Sequence, residues 1–579
     1  MKKTVKRRDY DLSQANFPDT VSPILQRIYA ARGALAEQSV ETDLKGLLKP
    51  DDLKGLPEAV NLIKTALELQ QRILIVGDFD CDGATSSALA VQALSRMGAK
   101  QVDFLVPNRF EYGYGLTPEI VEVAKAYQPD LIITVDNGIS SLEGVAAANE
   151  AGIQVIVTDH HLPGEALPNA AAIVNPNQQG CEFPSKNLAG VGVIFYVMTA
   201  LRSALREQGW FGQQGLAEPN MAEFLDLVAL GTVADVVPLD QNNRRLVESG
   251  LKRIRAGRVR PGIKALLEIS KRSASRLVSS DLGFALGPRL NAAGRLDDMS
   301  LGIQCLLSDD EYLAREMAVQ LDELNHDRKA IESDMQRTAM NDLQVLHLNE
   351  DELPFGLSLF NEDWHQGVVG ILASRVKDRY HRPVIAFAQS DDETQIKGSA
   401  RSIPGLHIRD ALDAVAARHP QLLSKFGGHA MAAGLSLNKV DFTAFSTAFD
   451  QEVRRQLVKE DLEPLIFSDG ELSAEDFNLL FAQSLRDGGP WGQHFPEPVF
   501  DGVFYLQQQR IVGQKHLKML LSLEPKSQQM IDAIAFNVDV QAWPNDSAEQ
   551  VRLVYKLDIN EFRGQQSVQL LVDYIEAVC

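Results

Sequence analysis

Residues 73–87 read Ile73-Leu74-Ile75-Val76-Gly77-Asp78-Phe79-Asp80-Cys81-Asp82-Gly83-Ala84-Thr85-Ser86-Ser87. An apolar run ends at three carboxylates within five residues, Gly77 and Gly83 flank them, and a helical pattern follows over 84–97. That order predicts strand, tight acidic turn and helix. Three like charges this close repel and raise one another's pKa, so a compensating cation is the simplest reason for tolerating them. The expectation is a divalent-metal site at the carboxyl end of a buried strand.

The same pattern recurs downstream. Strands are predicted over 102–106, 131–135 and 154–158, ending in Pro107-Asn108-Arg109, Asp136-Asn137-Gly138 and Asp159-His160-His161. Thr117-Pro118-Glu119 reads as a helix start, with Thr as cap and Pro at the first helical position. Strands alternating with helices at this spacing imply a parallel sheet covered on both faces. Parallel strands present their carboxyl ends along one edge, so Asp78, Asp80, Asp82, Asp136, Asp159, His160 and His161 should converge there. Any one of them alone serves equally well as a cap or turn former. Together, after three strands, they make a site. Asp235 follows the apolar stretch 224–231 and Thr232-Val233-Ala234, and reads either as a further ligand or as a loop carboxylate.

Length and composition set the frame. A chain of 579 residues should hold several domains. Its 45% hydrophobic and 23% charged content is ordinary for globular proteins, so disorder is not expected. There is no apolar run of about 18 residues or more, and Met1-Lys2-Lys3-Thr4 leads into charged residues rather than a signal-peptide core. A cytoplasmic protein with no membrane partner is expected. Cys81, Cys181, Cys305 and Cys579 lie far apart without a CxxC, which argues against a zinc module or a disulfide framework and for reduced thiols. The formal net charge of −21, from 57 basic and 78 acidic residues, opposes a surface that coats duplex DNA but leaves room for a local basic groove.

Five regions follow in order: an N-terminal region over 1–70, a first α/β domain over 71–309, a connecting helix over 310–346, a smaller α/β domain over 347–460 and a small β-barrel over 461–579. In the connecting helix, Leu313, Met317, Leu321, Leu324, Ile331 and Met335 recur at three, four or seven residues with no Pro or Gly between them. The segment Leu286-Gly287-Pro288-Arg289-Leu290-Asn291-Ala292-Ala293-Gly294-Arg295 reads as a Gly/Pro loop whose two arginines suit phosphate oxygens. In the second α/β domain, Gly398-Ser399-Ala400-Arg401-Ser402 and Lys425-Phe426-Gly427-Gly428-His429-Ala430 set small residues around Arg, Ser and His, a composition able to close around an anion. In the barrel, Arg510, Lys515, His516 and Lys518, with Trp491 and Phe495 in a nearby Gly/Pro-rich loop, read either as a surface that stacks and neutralises single-stranded nucleic acid or as a solvated strand face.

With DFDCDG, VDNG, TDHH and GTVAD placed in order, the chain resembles the DHH phosphoesterase superfamily; GSARS and GGHAMAAG are similar to its DHHA1 subdomain, and the terminal barrel points to its single-strand-specific DNA exonucleases. The resemblance implies an α/β fold: a parallel-sheet DHH domain joined by a long helix to a smaller α/β DHHA1 domain, with a C-terminal OB-like β-barrel. It implies two manganese or magnesium ions, with Asp136 bridging, Asp80 in one set supported by Asp78, and Asp82, His160 and Asp235 in the other. His161 would lie close to the scissile phosphate. Arg109 with Ser399 and Arg401 would hold a 5′ phosphate, Arg289 and His429 would grip the backbone or the scissile phosphate, and Tyr112 or Tyr114 would stack on a base. Many members carry a metal-ligating histidine where this chain has Val76, so water or Asp78 would complete that shell.

The chemistry fits that reading. Two ions about 4 Å apart offset phosphodiester charge, lower the pKa of water and steady a leaving oxygen. Carboxylates suit manganese and magnesium, and an imidazole tilts the preference toward manganese. The resemblance implies hydrolysis of single-stranded DNA from 5′ to 3′ into 5′-mononucleotides in recombination and repair, with a cleft between the α/β domains admitting one strand. A helicase and a single-strand-binding protein are candidate partners. A phosphoesterase of small substrates and a scaffold with a decayed site are the alternatives. The terminal barrel opposes the first and the intact ligand run opposes the second.

Overall fold

The computed structural model describes residues 3–107, 115–345, 353–423, 425–525 and 527–578. The chain divides into two compact units, one of Arg7–Glu323 with Phe467–Cys579 and one of Met1–Lys6 with Leu324–Ile466.

The larger unit is organised by five parallel strands: β1 (Ile73–Gly77), β2 (Val102–Leu105), β3 (Leu131–Val135), β4 (Gln154–Thr158) and β5 (Ala172–Val174). Their order in the sheet is β2-β1-β3-β4-β5. β1 and β3 are buried along their whole length, which is why they read as unbroken apolar runs rather than alternating ones. The chain leaves β1 to one side and returns on the other with β3, so the strand order reverses between them. Such a switch point opens a crevice at the carboxyl ends of the two strands. The short β5 was not expected, since three residues carry no periodicity to read.

Four helices complete the surroundings of that crevice: α1 (Cys81–Arg96), α2 (Gly190–Glu207), α3 (Leu225–Ala234) and α4 (Gly287–Leu296). α3 is apolar on all sides and correspondingly buried from Leu225 to Thr232. The segment around Arg289 is helix, contrary to the expected loop. Pro288 occupies the first turn, where its missing N–H costs nothing, and one π-helical turn, Leu282–Leu286, leads into it.

The same unit contains a closed barrel of β11 (Phe500–Val512), β12 (His516–Ser522), β13 (Ile531–Ala535), β14 (Gln550–Phe562) and β15 (Gln565–Val578), in the order β11-β12-β13-β15-β14. Arg563 and Gly564 both have positive φ, 54° and 78°, the two-residue turn that matches strand twist. Arg32, from the N-terminal segment, is buried and pairs with both oxygens of Asp469 at 2.8 and 2.9 Å.

In the smaller unit, β6 (Leu357–Phe360), β7 (Val384–Gln389), β8 (Gln395–Arg401), β9 (Lys425–Gly428) and β10 (Ala432–Asn438) form a mixed sheet in the order β9-β10-β8-β7-β6. Phe387, Phe445 and Phe449 lie in its core. α5 (Glu311–Val345) carries the chain from one unit into the other, and α6 (Val369–Tyr380) follows β6. The buried stripe of α5 is Ala314, Ala318, Leu321, Asn325, Arg328, Glu332, Met335 and Ala339, with Leu313 half exposed against expectation. Its polar middle is internally bonded: Arg328 donates to Glu332 at 2.8 Å and to Asn325 at 3.1 Å, and Arg375 of α6 donates to Glu332 at 2.8 Å. No helix among the described residues is long and apolar enough to cross a membrane.

Candidate active site

The crevice between β1 and β3 gathers acidic side chains whose directions are fixed by backbone amides. Asp80 caps α1, its Oδ1 accepting from the amides of Asp82 at 2.9 Å and Gly83 at 3.0 Å. Asp82 is buried in the first turn of α1 and accepts from Gly190 at 2.6 Å and Val191 at 2.9 Å. Those amides open α2, whose positive end favours a carboxylate. Asp136 follows β3 with φ at 62°, a left-handed conformation that an Asp tolerates better than most residues. Asn137 donates to the carbonyls of Val76 at 3.0 Å and Val135 at 2.9 Å, joining the ends of β1 and β3. Asp159 is fully buried and accepts from the amides of Ile139, His160 and His161 at 2.9, 2.7 and 3.1 Å. Asp235 terminates α3.

These supports bring the donors together. His160 Nε2 lies 3.1 Å from Asp136 Oδ1, 3.5 Å from Asp235 Oδ2 and 3.9 Å from Asp82 Oδ2. Asp78, Asp80 and Asp136 form a second group with donor atoms within 4.8 Å of one another, and Asp136, His160 and His161 a third. Asp136 belongs to both an all-carboxylate set and a mixed carboxylate–imidazole set. That donor chemistry fits two hard divalent cations sharing one ligand. Val76 is buried in β1 and offers no ligand atom, so the group of Asp78, Asp80 and Asp136 consists of carboxylates alone.

Close packing locks the arrangement, and sequence reasoning missed its agents. A Cβ on Gly190 would lie 2.6 Å from Asp136 Cβ, and one on Gly231 would lie 2.9 Å from Asp82 Oδ1. A Cβ on Gly294 would lie 1.8 Å from the Phe79 carbonyl, so α4 presses directly on the acidic turn. Asn291 of α4 accepts from the Cys81 amide at 2.7 Å. Nothing local in the sequence marks these approaches.

The electrostatics are those of a site that favours added positive charge. Burial, and then the charge of Asp80, push the Asp82 carboxyl up to about 7. Burial followed by the neighbouring aspartates also drives Asp136 and Asp235 well upward. His161 behaves oppositely to a simple buried imidazole. Burial alone would lower it, but the hydrogen bond and charge of Asp159, 2.8 Å from Nδ1, with Asp78 and Asp80 beyond, bring it up to about 9. Burial would raise Asp159, yet the hydrogen bond and charge of His161, with His160 and the Ile139 amide, hold it below the usual carboxylate range.

The smaller unit gathers two of the residues expected to meet an anion. Ser399 and Arg401 lie on β8, where Arg401 Nη1 donates to Ser399 Oγ at 3.0 Å and to the Ala400 carbonyl at 2.8 Å. Gly370, in the first turn of α6, approaches so closely that a Cβ there would meet Arg401 Nη2 at 2.8 Å and Ser399 Oγ at 2.9 Å. Burial lowers the Arg401 pKa, and among the described residues no carboxylate pairs with its guanidinium. His429 stands exposed in the β9–β10 turn, next to the register position where Ala432 pairs with Arg401.

Other expected residues are placed differently. Arg289 is not displayed on a loop: its Nε lies 2.8 Å from Asp322 and its Nη1 donates to the Ala285 carbonyl at 2.5 Å. Trp491 is a packing residue rather than an open platform. Its indole N–H donates to Leu485 at 2.8 Å, and its ring stacks on Phe495 at 5.2 Å and Tyr29 at 6.1 Å. Arg510 and Lys518 face each other across β11 and β12, Lys515 is exposed in the turn between them, and Lys518 Nζ lies 3.8 Å from Asp532. Phe536, 55% exposed, packs edge-on against His516 at 5.1 Å and was not singled out from sequence. Arg109, Tyr112 and Tyr114 lie outside the described residues.

Comparison with known proteins agrees with this geometry. Residues 72–232 match the DHH family, N-terminal domain, and residues 353–455 match the DHHA1 domain. The parallel sheet with its cation-binding carboxyl edge, followed by that second domain, defines a metal-dependent phosphoesterase of the DHH class. Residues 468–574 match the RecJ OB domain. The chain is 57% identical over 564 residues to the single-stranded-DNA-specific exonuclease RecJ of Dickeya dadantii, covering 97% of each chain. The crystal structure of RecJ in complex with Mn2+ from Thermus thermophilus matches with a TM-score of 0.78 at 29% identity, over 96% of this chain and 76% of that one. The corresponding Mg2+ complex matches with a TM-score of 0.72 at 27% identity, over 96% and 75%. The chain belongs to the RecJ family.

Proposed function

We propose that this chain degrades single-stranded DNA from its 5′ end and releases 5′-mononucleotides, at a centre where Asp78, Asp80, Asp82, Asp136, His160 and Asp235 hold two manganese or magnesium ions. The observation that carries this reading is the convergence of Asp82, Asp136 and Asp235 within 3.9 Å of His160 Nε2 at the sheet's switch point. Bound there, the ions supply charge neutralisation at the phosphodiester and a water of lowered pKa.

The protein's own groups do the remaining work. Asp136, which belongs to both donor groups, would contribute to holding both ions. Asp82 is held by the α2 amides and Asp80 by those of its own turn, so neither has to reorganise when substrate arrives. His161, oriented by the 2.8 Å contact of its Nδ1 with Asp159, would lie close to the scissile phosphate and stabilise the negative charge that builds there. Ser399 and Arg401 take the terminal 5′ phosphate, which supplies the counter-charge that the buried guanidinium lacks among the described side chains. His429 contacts the backbone beside it, and Arg289 reaches a phosphate by exchanging Asp322 for it. By resemblance Arg109 and Tyr114, outside the described residues, would also take part in binding the strand.

In this reading residues 71–309 are catalytic, 310–346 connect, 347–460 bind the strand end and 461–579 bind single strands. A strand-opening helicase and a single-strand-binding protein are its partners, and the work is cytoplasmic, where such DNA is exposed. Product analysis tests the core of the proposal. A 5′-labelled single strand supplied with manganese or magnesium should give labelled mononucleotide first, and none without metal. Labelled oligonucleotides as first products would overturn it. Arg401→Ala should slow cleavage of 5′-phosphorylated strands about tenfold more than that of 5′-hydroxyl strands, the scale of a lost charged hydrogen bond. Equal losses would remove end recognition by this pocket.

A further inference from the structure

Phe284 is the most exposed aromatic residue among those described, with 84% of its surface open. A single exposed apolar side chain is ordinary on a protein surface. Its position is not ordinary. Phe284 sits within the one π-helical turn among the described residues, Leu282–Leu286, and such turns are frequent at functional sites.

That turn packs on the metal-ligand end of α3. A Cβ on Gly283 would lie 3.2 Å from Val233 Cγ1, and one on Gly287 would lie 3.1 Å from Ala234 Cβ, with Asp235 the next residue in the chain. Beyond Phe284 the helix continues through Arg289, whose guanidinium folds back onto the Ala285 carbonyl, and through Asn291 and Gly294, which touch the acidic turn after β1. On the α3 side, Val236 directly follows Asp235 with φ at 62° and is 61% exposed. A β-branched residue in the left-handed region is strained, and such strain concentrates where a site requires it. An exposed aromatic ring and a strained, exposed aliphatic side chain therefore lie on the two segments that meet at the Asp235 end of α3, with Arg289 further along the same helical run.

We propose that Phe284, seconded by Val236, is a stacking platform for the nucleobase attached to the phosphodiester being cut. The inference rests on the proposed nuclease reading and deepens it by naming what makes the site prefer single strands. An unpaired base has a face free to stack on a protein ring, whereas a paired base inside a duplex has both faces covered by its neighbours. Phe284 is a positioning residue in this scheme: it sets where the base rests and so where the phosphate lies.

The experiment is a cycle between protein and substrate, run with manganese on 5′-phosphorylated single strands that carry one abasic unit at successive positions from the end. Wild type should lose about tenfold in kcat/KM when the base nearest the cut is missing, the scale of one base–aromatic stack. Phe284→Ala should lose about as much on the intact strand and nothing further on that abasic strand, because the two changes remove the same contact. Phe284→Trp should restore both the rate and the abasic penalty, which separates stacking from a fold defect. The proposal falls if Phe284→Ala keeps the full abasic penalty, if Phe284→Trp fails to restore it, or if wild type shows no penalty at any position. A wild-type enzyme that cuts no single strand at all would instead overturn the nuclease reading beneath it.

Discussion

The carboxyl edge of the parallel sheet and the β11–β12 hairpin of the barrel both concentrate charge, and they do so by opposite constructions. At the edge, Asp82 and Asp159 are fully buried and accept two and three backbone amides, while Asp80 accepts two more. At the hairpin, Arg510 and Lys515 are exposed, and the acidic neighbour of Lys518 stands off at 3.8 Å. The difference matches the two tasks proposed for them. Hydrolysing a phosphodiester requires charges held to within a fraction of an ångström, which only a packed and hydrogen-bonded setting supplies. Holding a polyanion requires charge density and tolerates loose side chains.

If the edge is as rigidly specified as its hydrogen bonds indicate, removing one charge there should be nearly total in effect. Asp136→Asn keeps the shape and removes the ligand charge common to both sets. We expect kcat to fall at least about a thousandfold, with single-strand binding still measurable, consistent with loss of a metal-supplied charge worth several kcal/mol in the transition state. Retention of more than a few per cent of activity would make the edge as tolerant as the hairpin.

A second expectation concerns the same carboxylates without metal. The Asp82 carboxyl titrates near 7 in the fold against 3.8 in the unfolded chain, so between those values the folded state binds more protons. This contribution to stability is complete below about pH 4 and is lost as pH rises through 7. Asp136 and Asp235, shifted in the same direction, add to it. Melting temperature in chelator should therefore fall from pH 5 to pH 8, and saturating manganese should abolish the fall by replacing the missing protons with cation charge. Parallel curves with and without manganese would show that these carboxylates share no ion.

What could be read from the sequence divides along the same line. Asp78, Asp80, Asp82, Asp136, His160 and His161 were legible because each follows a predicted strand, and parallel strands end together. Gly190 and Gly231 were not, since the groups that crowd them come from distant segments. The α4 segment reads as a loop because Gly and Pro signal turns, although Pro is equally at home in a first helical turn. Trp491 reads as displayed because it lies in a Gly/Pro-rich loop; its partner Tyr29 lies near the other end of the chain. On α5, the apolar repeat located the helix but not the face, because Asn325, Arg328 and Glu332 occupy the buried stripe where charge satisfies charge. Phe536 carried no signal at all, since one aromatic at a strand end resembles any other.

The smallest effect decides whether the hairpin belongs in the comparison. Arg510 and Lys518 are paired across two strands, so if both meet phosphates they should act as two independent charges rather than as a rigid site. Each phosphate contact on a single strand contributes about −0.7 to the slope of log affinity against log salt. Arg510→Ala combined with Lys518→Ala should then flatten that slope by about 1.4 and weaken binding several-fold at low salt, with little change near about 0.5 M. Phe536→Ala should behave differently, because a base stacked on a ring contributes affinity that salt does not screen. It should lower the binding curve at every salt concentration and leave the slope alone. If the double variant keeps the full slope, Arg510 and Lys518 are a solvated strand face, and the strand is gripped elsewhere.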